Sequence, residues 1–189
     1  HSKKSQNINY EIFGNKNQII PLINKYKIAS SRFNLIHTDK LIEGEDSALT
    51  AAKRGKSTSL WLAIESLKKN NADAIVSAGN TGALFLISKL NLKMIENIDK
   101  PALSALWPSK SGMNVVLDLG ANIECNSKNL VDFSIMGSAL LKALFVKIDA
   151  KVALLNIGSE ELKGNAMIKD TYQILNDNKY NLFDFHGYI

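Results

Sequence analysis

Apolar and polar positions alternate in short blocks along this chain, and the blocks predict strands joined to amphipathic helices. Residues 8–13 place Ile8, Tyr10 and Ile12 on one side of an extended segment, which is the period-two pattern of a half-buried strand. The first third also contains a predicted strand at 33–37 and three predicted helices. The first helix covers 18–26, the second begins at Ala48, and the third begins after an N-cap at Thr58 or Ser59.

A strand, a polar turn and a helix then follow one another three times. Each strand is a short apolar run without strict alternation, which is typical of a parallel sheet covered by helices on both faces. The pattern predicts an α/β fold with a doubly wound, mostly parallel sheet. The three units are strand 73–77 with helix 81–92, strand 114–119 with helix 127–145, and strand 151–157 with helix 165–175. The second helix is predicted to be broken at Gly137, and connections are predicted at 100–102 and 107–109.

The turn after the first of these strands reads Gly79-Asn80-Thr81-Gly82. Glycines allow a tight turn and a close approach of the backbone to a ligand. Asn80 or Thr81 can cap the helix, whose first N–H groups attract anions. The turn lacks the glycine spacing of a Walker loop or of a dinucleotide fingerprint. Two interpretations stay open, an anion site or a capped corner that binds no ligand.

Two further polar clusters follow the other strands, and ligands of open α/β sheets bind at such carboxyl ends. Asp118 with Asn122 can bind a cation, accept a proton or orient a partner; alternatively, the carboxylate is a structural acceptor for loop N–H groups. Lys163 can bring its charge to a phosphate beside a helix capped by Asn165. Alternatively, Lys163 and Glu160 belong to a solvated charged loop.

Composition places the chain among globular proteins with an ordinary core. The 189 residues are 46% hydrophobic and include one cysteine, Cys125, so no internal disulfide can form and a reducing compartment is expected. No apolar run reaches the roughly 18 residues that span a bilayer. Residues 1–7 lack the apolar core of a signal peptide, and we therefore expect a cytoplasmic protein.

Charge and missing motifs exclude several classes of function. The net charge of +5 suits phosphate, an acidic protein or anionic lipid, but it is too dispersed to indicate nucleic acid, and its tightest cluster is 53–56. The chain lacks a Gly-x-Ser-x-Gly nucleophile elbow, and its three histidines show no metal-ligand spacing. Cys125 has no neighbouring histidine that would make it a nucleophile. We expect neither metal nor cofactor, and phosphate itself as a reactant.

Three motifs, in order, resemble the bacterial phosphate acyltransferase of phospholipid synthesis, the acyl-ACP:phosphate transacylase. They are VSAGNTGAL at 76–84, LDLGAN at 117–122 and LLNIGSEELKGN at 154–165. Shorter matches lie at 54–60, 100–102 and 130–138. The resemblance extends from about residue 8 to the end of the chain.

The resemblance implies a fold similar to phosphotransacetylases and isopropylmalate dehydrogenases, with two α/β lobes, a cleft between them and a homodimeric assembly. Residues 1–189 match the N-terminal and central part of that family as a single incomplete α/β unit. The family's opening strand, which ends in Asp-Ala-Met-Gly-Gly-Asp, and its C-terminal region are absent from the chain. The family's peripheral membrane contact is linked to that C-terminal region, so we expect a cytoplasmic protein that touches the inner face of the membrane.

The implied activity is transfer of a fatty acyl group from acyl carrier protein to inorganic phosphate, without a cofactor. Two alternatives are a phosphotransacetylase that acts on acyl-CoA and a non-catalytic fragment that only docks acyl carrier protein. In the leading interpretation the catalytic residues are Lys163, Asp118 and Asn122, the substrate-binding residues are Ser77, Gly79, Asn80, Thr81, Gly82 and Asn165, and further candidates are Arg54, Lys56 and Glu160. Gly55 and Ser57 stand where the family usually has Lys and Asp.

Overall fold

A computed structural model gives the structure of the chain and describes residues 8–110, 112–158, 163–177 and 180–189. Its internal contacts divide the chain into two compact units, His1–Lys93 and Met94–Ile189. Both units mix helices with short strands, so the α/β class predicted from the sequence is confirmed.

The first unit packs three helices around one apolar core beside a two-stranded parallel sheet. Its strands β1 and β2 run side by side, with Tyr10 opposite Phe33. The buried core comes from the three later helices and consists of Ala51, Leu60, Ile64, Ala83 and Ile87. The elements are β1 (Tyr10–Gly14), α1 (Lys16–Lys25), a short 3₁₀ turn (Ser30–Arg32), β2 (Phe33–His37), α2 (Ala48–Lys53), α3 (Ser59–Lys68) and α4 (Thr81–Asn91).

The second unit contains an antiparallel hairpin, a long helix and a second parallel strand pair. The hairpin strands pair from Ser104 opposite Leu117 to Ser109 opposite Gly112. The parallel pair is irregular between Val152 and Ala153. The elements are β3 (Ser104–Ser109), β4 (Gly112–Leu117), α5 (Ser127–Leu144), β5 (Lys151–Leu154), α6 (Ala166–Asp177) and β6 (Asp184–Tyr188), and the buried apolar core is Ala150, Leu154, Leu175 and Phe183.

The predicted strand at 73–77 is wrong. Residues 72–80 form an irregular connection, because they have no strand neighbour among the described residues. Ile75 instead packs against the first-unit core, and Val76 is 99% exposed. An apolar run becomes a strand only when another backbone is available to pair with it, so the run alone was insufficient evidence.

The segment at 107–109, predicted as a connection, is part of strand β3. Pro108 misled the interpretation, because proline cannot donate to a sheet ladder and usually argues against a strand. Here β3 pairs only with β4 among the described residues, and such an edge strand tolerates a proline opposite Met113. The predicted strand 151–157 is also shorter than expected and ends at Leu154.

Helix α5 continues through Gly137, where a break was predicted. A Cβ atom built on Gly137 would lie 2.5 Å from Cδ1 of Leu117 at the end of β4. Glycine is therefore present because the helix and the strand approach closely there, and this packing offsets the roughly 1 kcal/mol that glycine costs inside a helix.

The described strands form three separate two-stranded sheets, two parallel and one antiparallel. A single doubly wound sheet and a cleft between two lobes are not confirmed by these pairings. The described residues of the polar clusters singled out above lie next to helix starts or strand ends.

Candidate active site

Asn80 is the N-cap of α4 and also holds a loop that precedes α2 in the chain. Its Oδ1 accepts a hydrogen bond from the N–H of Ala83 at 2.9 Å. Its Nδ2 donates towards three backbone carbonyls, those of Glu43, Gly44 and Asp46, at 3.3, 3.0 and 2.8 Å. The side chain predicted to bind substrate therefore uses both of its polar atoms to shape the turn.

The first turn of α4 presents two backbone amides away from the helix. The N–H of Ala83 goes to the Asn80 side chain and that of Leu84 to the Asn80 carbonyl. The amides of Thr81 and Gly82 precede the first intrahelical bonds, as in every α-helix, and have no partner inside the helix. Both residues are exposed. Such amides and the helix dipole favour an anion at this end.

The two glycines of this turn are not required by the fold. Neither Gly79 nor Gly82 has a positive φ angle. A Cβ atom on Gly79 would lie 3.5 Å from Ser77 Oγ, and one on Gly82 would lie 3.5 Å from Ala48 Cβ and from Asn80 Oδ1. These are ordinary van der Waals distances, so alanine fits at either position. Since neither conformation nor internal packing requires glycine at these two positions, close approach of a group from outside the turn is the remaining physical reason for glycine there.

Ser77 closes the loop in front of this turn. Its Oγ accepts a hydrogen bond from the N–H of Gly79 at 3.2 Å, and the side chain is exposed. Ser77 and the first amides of α4 therefore lie within one short stretch of backbone, and a common binding site there stays a prediction.

Arg54 and Lys56 have different surroundings. Arg54 forms an ion pair of 2.7 Å with Asp46, whose side chain is only 10% exposed. The same carboxylate oxygen accepts a hydrogen bond from the N–H of Glu43 at 2.7 Å. Lys56 is exposed. Asp46 was not singled out in the sequence, and the signal that could have found it is its position directly before Ser47, the N-cap of α2.

Asp118 organises the loop that follows β4. Its Oδ1 accepts hydrogen bonds from the backbone N–H and the side-chain amide of Asn122, at 3.2 and 3.0 Å. The Asn122 amide also donates to the Pro101 carbonyl at 2.9 Å. Asp118 has a φ angle of 59°, in the left-handed region that aspartate tolerates better than most residues. Asp118 and Asn122 are hydrogen-bonded to each other, and Asp118 accepts a loop N–H group, as the structural alternative for this carboxylate predicted.

Cys125 completes this loop. Its Sγ donates to Asp118 Oδ2 at 3.4 Å. Partial burial raises the pKa of the Cys125 thiol above its usual value, the hydrogen bond and charge of Asp118 raise it further, and the charge of Lys100 opposes both. A raised pKa leaves less of the thiolate, which is the nucleophilic form of cysteine, at neutral pH.

Lys163, Gly164 and Asn165 lead into helix α6. The Asn165 side chain accepts a hydrogen bond from the N–H of Ile168 at 3.0 Å, so the predicted cap is confirmed. Gly164 has a φ of +91°, and a Cβ there would lie 2.7 Å from Asn156 Oδ1, so both conformation and packing require glycine. Lys163 is exposed immediately before it. Glu160 lies outside the described residues.

The predicted site residues fall into one group in the first unit and two groups in the second. Residues 77–82 and Arg54 belong to the first unit, whereas Asp118 and Asn165 belong to the second. Among the described residues, no hydrogen bond or ion pair joins the Asp118 loop to Lys163 or Asn165. Each loop is ordered locally, and their convergence on one substrate stays a prediction.

Charge is distributed unevenly between the two units. Residues 1–93 contain 14 Lys and Arg against 7 Asp and Glu, a net charge of +7, and residues 94–189 contain 9 against 11, a net charge of −2. The unit that carries the Gly79–Gly82 turn is therefore the basic one, and a positive net charge of this kind favours the approach of anionic ligands.

A lysine on α5 contacts the segment before β3, and this lysine was not identified from the sequence. Lys128 pairs with Asp99 and Asp132, both at 2.9 Å, and donates to the Asn97 carbonyl. Hydrogen bonds to Asp132 and Asp99 raise the pKa of Lys128. The spacing of four residues between Lys128 and Asp132 was the available signal.

The fold and the loops define an α/β protein in which the Gly79–Gly82 turn leads into the N-terminus of α4. The profile of the fatty acid synthesis protein family matches residues 1–189, and the chain belongs to that family. The chain is 62% identical over all its residues to a phosphate acyltransferase of Pelagibacter ubique, of which it covers 56%. Phosphate acyltransferases of Anaplasma phagocytophilum and Bradyrhizobium diazoefficiens are each 40% identical over 96% and 94% of the chain. The resemblance inferred from the motifs is confirmed, and the chain spans about half the length of these curated relatives.

The described residues contain neither a candidate membrane span nor a candidate metal-ligand cluster. No helix in those ranges is long and apolar enough to cross a membrane. Within the same ranges, no group of three or more His, Cys, Asp and Glu side chains is arranged to hold a metal ion.

Proposed function

We propose that the protein is a phosphate acyltransferase that moves a fatty acyl group from acyl carrier protein to inorganic phosphate. Three relatives at 40–62% identity carry the name phosphate acyltransferase, which supports the phosphate acceptor and the acyl group. The single observation that carries the proposal is the turn at Gly79–Gly82. It combines two helix amides that have no partner inside the helix with two glycines that folding does not require.

In the proposed reaction, a hydrogen phosphate oxygen attacks the thioester carbonyl carbon. The new C–O bond forms, the C–S bond breaks, and the proton of hydrogen phosphate passes to the departing thiolate. The products are acyl phosphate and the free thiol of the carrier. No protein nucleophile is needed, so the work of the protein is to hold phosphate in line and to stabilise the negative carbonyl oxygen.

Roles for individual residues follow from their local contacts. The amides of Thr81 and Gly82 would bind phosphate, with Ser77 beside them and Asn80 fixing the turn. Lys163 would offset the charge of the dianion or of the oxyanion.

The second-unit loops would support this arrangement. Asp118 and Asn122 would keep their loop in place, and Asn165 would orient the start of α6. We further propose that, in the complete protein, the short strand pairs belong to one doubly wound sheet, and that the groups meet in a cleft between two lobes.

The carrier assignment rests on charge. Acyl carrier protein is acidic, and the first unit has a net charge of +7. Exposed cations such as Lys53 and Lys56 are suitable contacts. From the family resemblance we also propose that the protein forms a homodimer and contacts the membrane peripherally. Light scattering tests the first proposal, and flotation with anionic vesicles tests the second.

The test is phosphate-dependent release of thiol by the intact protein, with acyl carrier protein and coenzyme A thioesters compared at equal concentration. We expect release only with phosphate, faster with the acyl carrier protein thioester, and with a KM for that donor that rises as salt shortens the Debye length below about 10 Å. Preference for acyl-CoA would instead indicate a phosphotransacetylase. Binding of the carrier without thiol release would indicate a docking protein and contradict the proposal.

A further inference from the structure

An ion pair beside the Gly79–Gly82 turn suggests a role for Arg54 that differs from direct contact with substrate. Arg54 and Asp46 lie 2.7 Å apart, and the Asp46 side chain is nearly buried. The pair is therefore shielded from water more than an ordinary surface pair, and the loss of either partner has larger consequences.

The Asp46 loop is attached directly to the start of α4. The backbone carbonyls of residues 43, 44 and 46 all accept hydrogen bonds from the side-chain amide of Asn80, which caps α4. The Asp46 carboxylate also accepts a hydrogen bond from the Glu43 N–H, which closes the loop on itself. Ser47 then caps α2 through the Thr50 N–H. Any shift of this loop is transmitted to Asn80.

The loop that holds Asn80 is acidic. Glu43, Glu45 and Asp46 lie within four residues, and the backbone carbonyl of Asp46 accepts a hydrogen bond from the Asn80 side-chain amide at 2.8 Å. A carboxylate and a dianion repel each other over distances up to about the Debye length, which is about 8 Å at physiological salt. An unneutralised Asp46 carboxylate would repel a phosphate dianion at the α4 amides.

We infer that Arg54 is a positioning residue, which neutralises Asp46 and fixes the Asn80 loop so that the first turn of α4 can accept phosphate. Arg54 acts through Asp46 and Asn80 and does not contact phosphate itself. The inference rests on the proposed phosphate site, and it makes a distinctive prediction: the defect caused by removing Arg54 depends on the charge of Asp46.

The experiment compares the intact protein with Arg54→Gln, Asp46→Asn and the double variant. Asparagine at 46 keeps an oxygen that can accept the Glu43 N–H but removes the charge. Phosphate binding is read as the rise in Tm with phosphate at constant ionic strength, with chloride as the control anion. Where turnover is present, the KM for phosphate and kcat are measured separately.

Arg54→Gln should weaken phosphate binding about tenfold, because it leaves the Asp46 carboxylate without its cation, and kcat should stay almost unchanged. The double variant should recover binding to within about threefold of the parent, since it has no uncompensated carboxylate. Lys69→Gln removes the cation of a surface pair with Glu65 on α3 and serves as the matched control, with no effect on phosphate binding. Arg54→Lys keeps the positive charge and should retain most of the binding.

Two results would overturn the inference. A double variant as defective as Arg54→Gln would show that Arg54 contacts phosphate directly. Parent-like phosphate binding in Arg54→Gln, including an effect confined to the KM of the acyl donor, would show that the pair has no role at this site. The expected binding pattern without any thiol release would support the inference and contradict the proposed acyl transfer.

Discussion

Replacement of Gly82 by alanine separates a folding role of this glycine from a ligand-binding role. The added methyl group would lie 3.5 Å from Ala48 Cβ and from Asn80 Oδ1, which is ordinary contact. The backbone is helical at residue 82, so alanine needs no strained φ angle. Glycine-to-alanine changes at such compatible positions raise the free energy of unfolding by about 0.4–1 kcal/mol. We therefore expect a Gly82→Ala protein that is as stable as the parent or slightly more stable.

The effect on phosphate should have the opposite sign. Side chains at a helix start lean towards the N-terminus, where the amides of Thr81 and Gly82 would meet phosphate. Loss of one hydrogen bond to a charged group costs about 1.5–3 kcal/mol, and each 1.4 kcal/mol is a factor of about ten. The KM for phosphate should rise at least about tenfold, and Gly82→Val should be worse because its side chain is larger.

The assay combines urea unfolding with initial rates of thiol release over a range of phosphate concentrations. Gly137→Ala is the contrasting variant, since its Cβ would lie 2.5 Å from Leu117 Cδ1 and overpacking costs about 1–3 kcal/mol. It should lose stability but keep the parent KM for phosphate at temperatures where it is folded. A Gly82→Ala protein with an unchanged phosphate KM would refute the placement of phosphate at this turn.

Three further predictions concern the second unit. Lys163→Gln should lower kcat/KM by roughly 10²–10³ while its free energy of unfolding stays within about 0.5 kcal/mol of the parent value. The surface control Lys169→Gln should keep a near-normal kcat/KM, and the same result for Lys163→Gln would exclude Lys163 from the reaction. Asp118→Ala should be about 1 kcal/mol less stable in urea than Asp118→Gly, because only alanine retains the strain of the left-handed φ of 59°; equal stabilities would contradict this. Since the charge of Asp118 raises the pKa of Cys125, Asp118→Asn should lower that pKa and speed thiol modification by a disulfide reagent near pH 8, whereas an unchanged rate would exclude the coupling.

Elements fixed by neighbouring residues were predictable from the sequence. The predicted helix 81–92 and the observed α4 at 81–91 agree because Asn80 caps the N–H of Ala83, a contact three residues away. Strand 33–37 was also predicted with its correct bounds, but its pairing with the distant strand β1 was not. The cap at Thr58 is again local, because its side chain accepts a hydrogen bond from the N–H of Trp61. Local hydrogen bonds of this kind leave a signature in the sequence itself.

Features that depend on distant partners were not predictable. Residues 73–77 have strand-like composition but no neighbouring strand, and β3 was missed because Pro108 suits only an edge position. Gly137 was interpreted as a helix break because its contact with Leu117 lies 20 residues away in sequence. The candidate site shows the same limit: the Asn80 cap was predicted, but its contacts with the loop at 43–46, 34–37 residues distant, were not.

The most direct test of the central claim is a phosphate titration of the intact, isotope-labelled protein followed by amide NMR. The claim is that phosphate binds at the first turn of α4, where the amides of Thr81 and Gly82 have no partner inside the helix. We predict saturable shifts of these two amide signals with phosphate, absent with chloride at equal ionic strength and lost in Gly82→Val. Saturable phosphate binding that leaves the Thr81 and Gly82 signals unmoved would contradict the claim.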